Sequence, residues 1–97
     1  MRQFDLVQIG ASSLAVILQA DLLDTTSTCV VAPLILASAV TATEKLHPKM
    51  TVKGRHYIVA VEKLAAVHRK EIGKVLGSMK EREWDIRRAL DLVFVGV

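Results

Sequence analysis

Five consecutive apolar residues, Leu14-Ala15-Val16-Ile17-Leu18, leave no polar side to face water. A run this short, bounded by turn residues, reads as a strand buried on both faces. Cys29-Val30-Val31-Ala32-Pro33-Leu34-Ile35-Leu36 makes the same demand. Pro33 has no N–H to give a ladder bond, so an edge or a bulge is expected near it. In 97 residues with only 4% aromatics, the core must come from Val, Leu, Ile and Ala. That length predicts one domain, residues 1–97, around one modest core.

Other segments fit the same plan. Phe4 to Ile9 alternates in part and is followed by the turn cluster Gly10-Ala11-Ser12-Ser13. Residues 21–28 read as a loop, polar except for Leu22 and Leu23. Lys53-Gly54 separates Met50-Thr51-Val52 from Arg55-His56-Tyr57-Ile58-Val59-Ala60-Val61, which is the pattern of a tight hairpin. Then the period changes. Met79, Glu83, Ile86, Ala89, Leu90, Val93 and Val97 fall near one line at helical spacing, and Ser78 with Glu81 makes a capping box at its start. The expected fold is mostly β, an antiparallel sheet finished by one C-terminal α-helix.

Charge narrows the partners. Residues 1–43 carry Arg2 against Asp5, Asp21 and Asp24, a net of −2, so the total of +3 leaves +5 on residues 44–97. A basic half attracts acidic protein segments, and Arg87 and Arg88 are expected among the contacts. Acids interleave with the bases throughout, so direct nucleic-acid binding is not expected. No apolar run approaches the roughly 20 residues of a membrane span. The first ten residues lack a signal-peptide core, and the lone Cys29 allows no disulfide framework. A cytoplasmic protein is expected.

Catalytic chemistry finds little support. His47, His56 and His68 lie nine and twelve residues apart, which matches no zinc pattern, and they read as surface or strand residues. Ser12, Ser13 and Ser78 lack a nucleophile's setting. Cys29 reads as a small buried hydrophobe. Asp21 and Asp24 sit in a turn, where carboxylates bond local backbone N–H groups. Leu22 and Leu23 between them are expected to turn inward or, failing that, to form a contact patch. On the predicted helix Trp84, Arg88, Asp91 and Val95 share the face opposite the apolar line. The apolar ending Phe94-Val95-Gly96-Val97 predicts a tail docked on its own core or on a partner.

Several stretches resemble the CcdB family of toxins from toxin–antitoxin modules. They are Leu18-Gln19-Ala20-Asp21-Leu22-Leu23-Asp24-Thr25, Val31-Ala32-Pro33-Leu34, Lys45-Leu46-His47-Pro48 and, most closely, Ile72-Gly73 with Arg82 through Val97. The resemblance implies an SH3-like β-barrel with a C-terminal helix, a homodimer, no cofactor and no catalysis. It further implies that the target is DNA gyrase, through its A-type polypeptide, and that an antitoxin of the CcdA type is the neutralising partner. In the family the gyrase contact uses a final Trp, Gly and branched aliphatic, at positions occupied here by Val95, Gly96 and Val97. Phe4, Leu22 and Leu23 match other contact positions conservatively, and Asp91 stands where the family often has Asn. Two alternatives are an endoribonuclease like the MazF and Kid toxins of the same barrel, and a non-toxic homologue that keeps only antitoxin binding.

Overall fold

Short apolar segments separated by tight turns build an antiparallel sheet. The computed structural model describes residues 1–41, 43 and 45–96. Strands β1 (Asp5–Ile9) and β2 (Ser13–Ile17) form a hairpin with Leu6 opposite Val16. Next come β3 (Thr28–Leu36), the hairpin of β4 (Lys49–Val52) and β5 (Arg55–Val59), then β6 (Ala65–His68) and β7 (Ile72–Ser78). Helix α1 spans Glu83–Phe94. The strands lie in the order β4-β5-β3-β2-β1-β7, with β6 also paired to β3. The result is a curled antiparallel sheet with one C-terminal helix, the expected class. No helix among the described residues is long and apolar enough to cross a membrane.

The predicted hairpin forms, and its chemistry explains the sharp reversal. Lys53 and Gly54 have φ of +49° and +79°, the doubly left-handed turn whose twist matches its strands.

The apolar runs are buried on both faces because each feeds two clusters. Leu6, Val16, Leu18, Ala32 and Leu34 point to one side, where Met79, Ile86 and Ala89 cover them. Val7, Ala15, Ile17, Cys29 and Val31 alternate to the other side, where Ile9, Val67 and Ile72 close over them. Alternation of side chains along a strand makes this division automatic.

Pro33 corrects the expectation of an edge or a bulge. It lies inside β3 in regular register with Ala15 of β2. Its carbonyl accepts the Ala60 N–H at 2.9 Å, so its nitrogen faces the same way. On that side β3 pairs with β6 up to Val31 and with β5 from Leu34. The missing donor therefore falls in the gap between two partners.

The capping box at Ser78 also forms differently. Ser78 Oγ accepts the Lys80 N–H at 3.1 Å and starts a 3-10 turn, Lys80–Arg82, with α1 following at Glu83. Strands β6 and β7 are not visible in the periodicity. Every residue of β7 after Ile72 is exposed, two are glycines, and its pairing with β1 is shifted twice.

Candidate functional site

The loop after β2 carries the first group of expected contacts. Asp21–Leu23 makes one 3-10 turn. Asp21 does not bond its own loop. Its Oδ1 accepts the Gln3 N–H at 2.7 Å and ties the turn to the N-terminus. The Leu pair points outward, with Leu22 88% and Leu23 49% exposed, which overturns the expected inward turn.

The helix carries the second group. Ile86 and Ala89 are fully buried, which leaves the opposite face to water. Trp84 on that face is 72% exposed, and the Arg87 guanidinium lies 5.5 Å from its ring centre. The same guanidinium stands 5.7 Å from the Phe4 ring, while Arg87 Nε donates to Glu83 Oε2 at 3.2 Å. Arg87 is thus a positioned cation, half exposed, and Arg88 beside it is exposed.

Phe4 itself is buried, at φ +68°, a strained conformation for a bulky residue. Bonds at 2.7 Å from its N–H to Ile17 O and from the Met79 N–H to its own carbonyl hold it there. It is buried with the Arg87 guanidinium over its ring. Phe4, Asp21, Glu83 and Arg87 line one depression of about 340 Å³ between the loop turn and the first half of α1. Asp91, exposed, shares a shallower depression with Trp84, Arg87 and Arg88.

The tail is not docked on its own core. Phe94 is 70% and Val95 69% exposed. Gly96 has φ +82°, and its N–H donates to Asp91 O and Leu92 O, each at 3.1 Å. That is the left-handed stop that ends a helix, so Gly96 sets the direction of the tail. Val97 lies outside the described residues. Val95 and Gly96 sit one to two turns beyond Asp91, and eight residues from Arg87 to Val95 is about 12 Å of helix.

Among the described residues no three His, Cys, Asp or Glu side chains gather as metal ligands. Arg55 lines a groove of about 390 Å³ with Gln8, Val52, Lys53 and Tyr57, while His56 turns away to Thr51, Nδ1 to Oγ1 3.0 Å. Burial pushes the Cys29 thiol up, partly opposed by the Arg69 charge, which leaves it a neutral core residue.

His47 departs from its expected surface or strand setting. It is 7% exposed, its Nδ1 accepts the Thr43 N–H at 2.9 Å, and its Nε2 donates to Glu62 Oε2 at 2.6 Å. It clamps two loops. Glu62 is 15 residues away, a pairing that no local pattern announces.

The sequence model of the CcdB family, described as CcdB protein, matches residues 3–96. The chain belongs to the CcdB family. It is therefore a toxin of the toxin–antitoxin class. No curated protein sequence matches it significantly.

Solved structures share the family's fold at low identity. An endoribonuclease from a mycobacterial species has a TM-score of 0.80 at 15% identity, covering 100% of this chain and 92% of that one. The Mycobacterium tuberculosis toxin MazF-mt6 gives 0.78 at 14%, covering 97% of both chains. MazE-MazF from Deinococcus radiodurans gives 0.75 at 13%, covering 100% of this chain and 98% of that one. At such identities the likeness carries the fold alone.

Proposed function

We propose that this CcdB-family protein inhibits DNA gyrase by binding its A-type polypeptide (gyrase A) through surface contact, without chemistry of its own. The observation that carries the reading is the exposure of Leu22, Leu23, Phe94 and Val95, large apolar side chains left to water outside a closed core. Scattered apolar residues are ordinary on surfaces, but Leu22, Leu23 and Val95 occupy contact positions that the family resemblance names. Asp91 and Gly96, both exposed, belong to the same reading, and Val97 joins them on the resemblance alone. Expression in growing bacteria tests it. Arrest with cleaved DNA–gyrase complexes is the expected result, and arrest without them overturns it.

The endoribonuclease reading rests on the fold likeness to MazF-type enzymes. Arg55 and His56 face opposite sides of β5, which argues against that pair as cleavage residues. RNA cleavage by the purified protein would favour it instead. Tight antitoxin binding without growth arrest would favour the non-toxic homologue.

The protein acts as a homodimer, the state that the family resemblance implies. Light scattering at micromolar concentration should give the mass of two chains; the mass of one overturns this.

An antitoxin of the CcdA type neutralises the protein through an acidic segment laid along Arg87 and Arg88. Arg87 is already oriented by two rings and Glu83, so a carboxylate meets a fixed cation. Affinity should fall about tenfold between about 0.1 M and about 1 M salt, as the Debye length shrinks from about 10 to about 3 Å. Arg88→Glu should weaken binding and flatten the salt dependence. Titration calorimetry that finds one affinity at all salt concentrations removes the electrostatic account.

A further inference from the structure

The exposed Leu22–Leu23 turn is held from beneath by a single side chain remote in sequence. Arg69 Nη2 donates to Leu23 O at 2.8 Å and to Thr26 Oγ1 at 3.3 Å, and its Nε donates to Thr26 O. Its own N–H donates to Ser27 O at 3.1 Å. Gln19 completes the bracket: Nε2 donates to Leu23 O at 2.9 Å while Oε1 accepts the Val30 N–H at 3.2 Å. Arg69 and Gln19 together fill both lone pairs of the Leu23 carbonyl, which leaves the Thr26 hydroxyl to donate to Thr28 O at 2.7 Å.

We infer that Arg69 is a positioning residue for partner recognition, locking residues 21–27 so that Leu22 and Leu23 stand out as a preformed contact. The inference rests on the reading of that Leu pair as part of the gyrase-binding surface. Two large apolar side chains in a slack loop would fold back to escape water. Here the carbonyls that such a collapse would have to move are bonded to a planar guanidinium, whose fork holds two directions at once. A contact ordered before binding avoids the cost of ordering it in the complex. A lysine at this position keeps the charge and loses the fork, which separates geometry from electrostatics.

Arg69→Met and Arg69→Lys, each in the full chain, make the test. In the free protein the Leu23 amide, bonded to Ala20 O, should exchange with deuterium about tenfold faster in both, with amides of β2 and β3 unchanged. Binding to gyrase A should weaken about tenfold in both. In a Leu22→Ala, Leu23→Ala background the Arg69 changes should cost no further affinity, because they act through those side chains. Unchanged exchange, fully additive losses, or complete rescue by Lys overturns the inference, and so does failure of both variants to fold. If Leu22→Ala, Leu23→Ala alone binds gyrase as tightly as the natural chain, it is the contact reading that fails. Loop exchange in the Arg69 variants then still decides whether Arg69 holds the turn.

Discussion

Val95→Trp should bind gyrase A at least about 30-fold more tightly than the natural chain, with its melting temperature unchanged. A buried indole at the centre of an interface typically contributes about 2–4 kcal/mol, which is about 30- to 1000-fold in affinity. Val95 supplies less area and no N–H donor at the position where the family resemblance places Trp. The larger side chain has room, because Val95 is 69% exposed just beyond the end of α1. Trp84 does not stand in for it, since eleven residues of helix separate them by about 16 Å.

Deleting Gly96 and Val97 is the companion measurement. The deletion removes the φ +82° stop as well as the tail, so its melting temperature must be read beside its affinity. If neither change moves gyrase affinity and the deletion only lowers stability, the tail is structural and the gyrase reading is wrong.

Ile86→Ala should destabilise the protein by about 3 kcal/mol, because deleting buried methylenes loses transfer energy and leaves a cavity. For a domain of this size that is a fall of about 12–24 °C in melting temperature. Ile86 is fully buried between Met79 and Ala89 in the cluster that includes Val61 and Leu34. Trp84→Ala, two residues away, should cost only about 0.5–1 kcal/mol, since its 72% exposed ring loses mainly the Arg87 contact. Circular-dichroism melts of the two variants decide it. Equal losses would mean that α1 does not seal the sheet.

Local pattern by itself determined the β-hairpins, the doubly buried strands and the closing helix. Lys53-Gly54 needs only the steric freedom of its own turn, and the Leu14–Leu18 run needs only side-chain alternation, so both are written within a few residues. The same holds for Trp84 and Arg88 on the outer face of α1, which helical spacing alone assigns. Tertiary structure decided the rest. Pro33 sits in a central strand because β3 changes partners there, and the exposed edge strand β7 carries no periodic signal. Phe4 came to lie buried under the Arg87 guanidinium, and His47 found Glu62 across the fold. Whether Leu22 and Leu23 turned in or out depended on Arg69, whose side chain reaches the loop from 43 to 46 residues further on. Hydrogen bonds between distant segments arise only after the sheet has curled, and spacing within one segment holds no record of them.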